Sequence, residues 1–244
     1  MLNPPERARK RPKFLAWGLA TMVTAGLGVT VLRHVPAHAD QTALVLPAPA
    51  YNPPDSATSE VAVLSGGCFW GVQGVYEHVK GVIKVYAGYT GGAADTAQYE
   101  IVSTGTTGHA ESVQITFDPR VISYGQILQI YFTVATDPTE LNYQGPDSGT
   151  QYRSEIWVAN PGQLKIATDY IAQLTAAHAF SQPIVTRVDP LGGFYKAEDY
   201  HQDFLVRNPD YPYIVINDIP KVQNLQRLFP SLYAAAPITV FPAS

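Results

Sequence analysis

Sulfur is scarce in this sequence. Among 244 residues there are one cysteine, Cys68, and two methionines. A single cysteine excludes an internal disulfide, so the fold must be held by its core alone. Long basic runs are missing too, apart from a cluster within the first 13 residues, and Lys plus Arg number 16 against 20 Asp plus Glu. That balance speaks against nucleic acid as a partner. No internal repeat is visible. The six histidines offer little to a metal. His109 in "HAE" and His201 in "HQD" stand beside acids, but their spacing fits no ligand pattern. Both are expected to fix loops by hydrogen bonds.

Apolar residues are plentiful, at 46% of the chain. That supports one sizeable core and one domain, two at most. The N-terminus is set apart from it. "ERARKRPK" is a basic region, and an uncharged apolar run from Phe14 to Leu32 follows. Ala37-His38-Ala39 then fits the small-x-small pattern of a signal-peptidase site. The apolar run is also long enough to span a bilayer. Residues 1–39 are therefore expected to be a signal peptide or a membrane anchor. Either way the body would lie outside the cytoplasm, periplasmic or extracellular if cleaved and held at the inner membrane if not. Residues 40–59, rich in Pro, Ala and small polar residues, read as a linker. A domain over 60–233 and a short tail over 234–244 follow.

Cys68 lies in "LSGGCFWGVQGVYEHVKG". The apolar run Val61–Leu64 stops at glycines, which predicts a short buried strand. Phe69, Val72, Val75, Tyr76 and Val79 then recur at helical spacing, with Gly81 expected as the residue that ends the helix. Cys68 thus falls at a strand-to-helix junction. Free backbone N–H groups and the positive end of the helix dipole would favour its thiolate there. Gly66 and Gly67 would turn the chain tightly and leave the sulfur uncovered. A small buried hydrophobe is the competing reading, because free cysteine is commonly buried. Further on, "VYAGYTGG" predicts a strand, and alternation from Glu111 to Phe117 another. Ile122, Ile127, Leu128, Ile130, Tyr131 and Val134 mark a second helix with Ser123 as its N-cap. "YRSEIWVAN" and "PIVTRVD" read as strands around a third helix, "GQLKIATDYIAQLTAAHAF". Pro220 marks the start of a short final helix, expected to serve packing and not chemistry. The pattern predicts an α+β fold, one mixed sheet with packed helices.

Six ordered motifs, "GGCFWG", "AGYTGG", "YEIVSTGTTGHAE", "DPRVISYGQIL", "GPDSGTQYRS" and "YKAEDYHQ", together resemble the peptide methionine sulfoxide reductases of the A type. The resemblance runs from about Val61 to Tyr213. It implies a ferredoxin-like α/β plait and no bound cofactor. It also implies roles. Cys68 would be the nucleophile and Glu111 the acid. Tyr99 and Tyr152 would bind the sulfoxide oxygen, with Asp147 in the same site. Phe69 and Trp70 would wall the substrate methyl group. The chemistry is coherent. A thiolate can attack the sulfur if phenol hydroxyls and a protonated carboxylic acid receive the developing charge on oxygen. Without the resemblance, Glu111 could equally face solvent, and the tyrosines could be ordinary half-buried ones.

Many family members carry further cysteines near the C-terminus, and this chain has none. The resemblance therefore implies that the oxidised thiol is recycled by an external thiol donor, thioredoxin-like or glutaredoxin-like, with dithiothreitol sufficing in vitro. Oxidised proteins or free methionine sulfoxide would be the substrates. Thr136, where the family commonly has histidine, is a second departure. Two other functions compete. A cysteine hydrolase would need His109 or His201 as base, and the Phe-Trp pair would crowd an acyl substrate. A module that only binds oxidised methionine would not need every chemical residue that is present.

Overall fold

The structure is a computed structural model that describes residues 44–242. The expected leader, residues 40–43 and the last two residues lie outside it. Among the described residues no helix is long and apolar enough to cross a membrane.

Strand β1 (Glu60–Ser65) leads through Gly66 and Gly67 into α1 (Phe69–Glu77). Next come β2 (Val82–Thr90), the short helix α2 (Tyr99–Val102) and β3 (Ala110–Phe117). Helix α3 (Tyr124–Ile130) continues into a wider π turn over Tyr131–Ala135. A two-stranded ribbon, β4 (Tyr143–Gln144) with β5 (Asp147–Ser148), precedes β6 (Glu155–Val158). Then follow α4 (Pro161–Ala176), β7 (Arg187–Pro190), β8 (Phe194–Lys196), α5 (Phe204–Arg207) and α6 (Ile219–Leu228).

Six strands form one mixed sheet in the order β7-β6-β1-β3-β2-β8. β1 lies between β3 and β6, antiparallel to both, and β2 is antiparallel to β3. The units β1-α1-β2 and β3-α3-β6 are thus two split βαβ crossovers, which is the ferredoxin-like plait. β7 adds in parallel to β6, and β8 antiparallel to β2. The sequence expectation of α+β with one mixed sheet is met.

β1 is central, and this explains its unbroken apolar run. Ala62 and Leu64 enter the main core, while Val63 joins Trp157 and Ala110 in a second cluster. The main core takes Phe69, Val72, Val75 and Tyr76 from α1 and Ile127, Leu128 and Ile130 from α3. Ser123 caps α3 as expected, in a reciprocal capping box with Gln126. Pro220 stands in the first turn of α6.

Several boundaries differ from the sequence reading. α1 ends at Glu77 with His78 as its cap, so Gly81 does not terminate it. Gly81 instead has φ +91°, and a side chain there would collide with Val121 and Ile122. The strand in "YRSEIWVAN" starts only at Glu155, because Thr150–Tyr152 form a 3₁₀ turn. α4 stops at Ala176, and only Arg187–Pro190 of the "PIVTRVD" region pair as a strand. Residues 44–59, read as linker, hold no helix or strand before Glu60 but are fastened to the domain. Gln129 Nε2 donates to Leu46 O, Tyr170 OH to Pro47 O, and Asn52 Nδ2 to Ser123 Oγ. The tail is fastened too, with the Val240 and Phe241 N–H groups donating to the Asp203 carboxylate.

Candidate active site

The turn before Cys68 requires glycine for two different reasons. Gly67 has φ +97°, where a side chain is strained. At Gly66 a Cβ would lie 2.9 Å from Thr136 Cβ and 3.0 Å from Tyr131 Cε2. Thr136 therefore packs beneath the turn. The turn delivers Cys68 to the N-cap of α1, as the sequence predicts. Two expectations fail there. The sulfur is not uncovered, since Cys68 is only 9% exposed. Nor does the helix start leave a thiolate: burial, and then the charges of Glu111 and Asp218, push the thiol well above its ordinary pKa. The N–H of Trp70 works in the opposite direction but is outweighed. Desolvation of a charge exceeds what one helix turn returns.

Glu111 lies in β3, opposite Tyr89 of β2, and does not face solvent: it is 3% exposed. Its Oε2 accepts the Phe69 N–H at 2.9 Å, which places the carboxyl against the first turn of α1. Burial raises its pKa to about 8, despite that hydrogen bond. The carboxyl is therefore mostly protonated at neutral pH and can donate.

Tyr99 begins α2, and its N–H donates to Glu198 Oε1 at 2.9 Å. The other Glu198 oxygen accepts from Tyr89 OH at 2.8 Å. Tyr152 ends the 3₁₀ turn, whose position is fixed by its neighbour Arg153. That guanidinium donates to Thr150 O at 2.8 Å, Gly108 O at 2.9 Å and His109 O at 3.3 Å, and it pairs with Glu155. One buried side chain thus joins the turn carrying Tyr152 to the loop leading into Glu111. Burial raises both phenols, and the acidic neighbours Glu111 and Cys68 raise them further. Both tyrosines therefore stay neutral donors, gathered with the thiol and the carboxyl. Asp147, in β5, accepts a hydrogen bond from Tyr213 OH.

Phe69 is buried in the main core, in ring contact with Tyr89 and His201. Trp70 is half-buried and stacks on Phe204, with centroids 3.8 Å apart and planes 9° from parallel. Tyr213 meets it edge-on at 6.0 Å. Trp70 Nε1 donates to His201 Nδ1 at 3.1 Å, which puts the His201 proton on Nε2. Burial lowers His201 to about 4, so it is neutral and orients the indole. His109 accepts from Gly92 N–H through Nδ1 and lies 2.9 Å from Ala93 O through Nε2. His109 thus fastens its loop as expected, whereas the His201 ring holds a side chain of α1 and its Nε2 finds no partner among the described residues. No group of acids, histidines and cysteine that could hold a metal occurs among the described residues.

The arrangement brings a buried thiol, a protonated carboxylic acid, two neutral phenols and two aromatic rings together at one helix start. Residues 60–231 match the family described as peptide methionine sulfoxide reductase. A relative from Mesorhizobium japonicum, named peptide methionine sulfoxide reductase MsrA 2, is 61% identical over 186 residues, 76% of this chain and 95% of its own. The chain belongs to the peptide methionine sulfoxide reductase A family.

A second family member, from Saccharolobus solfataricus, is 50% identical over 171 residues, 70% of this chain and 95% of its own. Among solved structures, methionine sulfoxide reductase A of Corynebacterium diphtheriae aligns with a TM-score of 0.53 and 31% identity, covering 70% of this chain and 86% of its own. Reduced Mxr1 from Saccharomyces cerevisiae aligns with a TM-score of 0.57 and 30% identity, covering 66% of this chain and 92% of its own. As a member of this reductase family, the protein reduces methionine sulfoxide and acts in repair.

Sequence reasoning did not single out Tyr89, Glu198, Arg153, Tyr213 or Asp218. Glu198 and Arg153 stand inside "YKAEDYHQ" and "QYRS", so the motifs held that signal. Tyr213 and Asp218 follow the motifs, and only the fold brings them to Cys68.

Proposed function

We propose that the enzyme reduces the S epimer of methionine sulfoxide through a sulfenic acid on Cys68. The observation that carries this reading is the buried, protonated Glu111 hydrogen-bonded to the residue next to the thiol. Cys68 Sγ attacks the sulfoxide sulfur. Glu111 gives its proton to the oxygen, and the thiol proton replaces it on Glu111. Tyr99 and Tyr152 hydrogen-bond the oxygen as its charge develops. The hydroxyl then passes from the substrate sulfur to Sγ as the S–O bond and the transient S–S bond break, leaving Cys68–SOH and releasing methionine. Asp147 holds Tyr213, and Phe69 and Trp70 hold the methyl group by apolar and sulfur–aromatic contact.

Cys68 is the only cysteine, so no internal thiol can attack the sulfenic acid. An external thiol displaces the hydroxyl as water and forms a mixed disulfide. A second donor thiol then frees Cys68. A thioredoxin-like dithiol fits this sequence of steps, and no bound cofactor enters it. Residues 1–39 as a cleaved leader or an anchor would place the reaction outside the cytoplasm. The domain limits 60–233 and tail 234–244 belong to the same reading.

A single-turnover experiment tests the scheme. Reduced protein given dabsyl-methionine sulfoxide without a donor should release one methionine per site and then stop. Dimedone should add to Cys68 at that point. Stoichiometric methionine with only free thiol at Cys68 would overturn the sulfenic acid. Dithiothreitol should restore steady turnover, and equal rates on the two separated epimers would overturn the S preference.

A further inference from the structure

Two residues before Pro220, at the start of α6, lies a carboxylate that the reaction above does not use. Asp218 is 0% exposed, and neither of its oxygens has a hydrogen-bond partner among the described residues. Among the described residues its one charged neighbour within ion-pair range is Lys221, with Nζ 3.6 Å from Oδ1. An unpaired charge is costly to bury, and a partner at that distance returns only part of the cost. The carboxylate is seated on the first turn of α1. A Cβ built on Gly71 would lie 2.1 Å from Asp218 Oδ1, 2.7 Å from its Cγ and 3.2 Å from Lys221 Nζ. Gly71, three residues after Cys68, is thus the space that admits this charge.

We propose that Asp218 is a positioning residue for the reaction: a fixed negative charge that opposes the positive end of α1 beneath Cys68 and holds the resting site in its fully protonated form. This rests on the reading of Cys68 and Glu111 given above. A helix start alone would draw out a thiolate, a nucleophile open to oxidation by peroxide as well as to reaction with the sulfoxide. A buried acid beside it keeps the sulfur as thiol until a substrate able to take the proton is bound. The same charge helps keep Glu111 able to donate. The surroundings agree in direction. The Asp218 charge raises both Cys68 and Glu111, and Asp218 is itself raised to about 6 by burial, against the pull of Lys221. The other groups facing this cluster are the Asp147 carboxyl from β5 and the phenols of Tyr99, Tyr152 and Tyr213, none of which brings a positive charge. Among the described residues, Lys221 is the one cation acting on Asp218.

The single cysteine makes the test specific, because iodoacetamide alkylation reports Cys68 alone. The full chain is compared with Asp218→Asn and Asp218→Ala, which remove the charge with and without keeping the shape. Leu225→Ala, on the same helix, loosens packing without changing charge. Both Asp218 variants should shift the pH midpoint of alkylation down by about one unit, so that alkylation near neutral pH quickens about tenfold. Inactivation by peroxide should quicken in step, and the alkaline limb of single-turnover reduction should move to lower pH. Leu225→Ala should leave the midpoint in place. If neither folded Asp218 variant moves the midpoint, or Leu225→Ala moves it as far, the proposal is wrong. The alkylation readout needs no turnover. A wild type that makes no methionine would sink the functional reading, while an unmoved midpoint would sink this one.

Discussion

The two ends of α1 both bury carboxyl groups, and they use them differently. At the N-terminal end Glu111 and Asp218 lie beside a thiol, and Glu111 accepts one backbone hydrogen bond while Asp218 has none. At the C-terminal end Glu77 is fully buried, and burial followed by the nearby Asp203 pushes its pKa well up. Its carboxyl oxygens, like those of Asp218, find no hydrogen-bond partner among the described residues, but the backbone around them is fastened. Asp203 accepts from the Val240 and Phe241 N–H groups, Ile238 N–H donates to Glu77 O, and the His78 ring stacks on Tyr233. The segment from Tyr233 to Phe241 closes that end. The lesson is that a raised carboxyl pKa does not by itself mark catalysis. It becomes chemistry where a nucleophile and neutral donors stand beside it, and fastening where the tail covers it.

The sharpest way to break this comparison is Cys68→Ser. It should abolish methionine formation with the melting temperature nearly unchanged, because no second thiol can replace it. Turnover above a few per cent of wild type would remove Cys68 as nucleophile.

Glu111→Gln should slow single-turnover reduction by about 10²–10⁴, the range for lost general-acid help. The wild-type rate should fall as pH rises through about 8, where Glu111 loses its proton, and the variant should lack that limb. Stability follows the same sign. A carboxyl raised from its ordinary value favours the fold at low pH, and this contribution is lost as pH climbs towards about 8. Urea titrations of Glu111→Gln should therefore show a flatter pH dependence over that interval.

Tyr152→Phe should cost about 10² in the rate of the chemical step, as for one lost donor to a developing oxyanion. Its effect should appear in kcat more than in KM. An equal loss in KM alone would make Tyr152 a binding residue only.

Glu77→Gln, at the opposite end of the helix, is the smallest expected effect. Turnover should stay within about twofold, since removal of a buried group far from the reacting atoms acts through stability. The wild type should lose stability as pH rises above the ordinary carboxylate range, and the variant should not. A tenfold loss of turnover at unchanged stability would erase the distinction between the two ends.

Local chemistry made much of this legible beforehand. Spacing alone located β1, α1 and α3, and the Ser123 cap follows from an oxygen three residues before a free N–H. The motifs named Cys68, Glu111, Tyr99, Tyr152, Asp147, Phe69 and Trp70. Their ionisation was not legible. The expected thiolate at Cys68 came from the helix start, a local feature, whereas the buried thiol reflects what packs over it from β3 and α6. Helix ends were misread for a similar reason. Gly81 looked like a terminator, but α1 stops earlier, where His78 meets Tyr233 and the chain's last segment.

The sequence by itself determined the strand and helix periods, the glycine turn at Gly67, the lone thiol and hence the need for an external one. Each depends on neighbours within a few residues, or on a count. Only the tertiary structure decided that Glu111 is buried and protonated, that Tyr213 reaches Asp147, and that Asp218 sits under the first turn of α1. Solvation and charge depend on everything within several ångströms, and at Cys68 those neighbours arrive from positions 111, 147, 213 and 218.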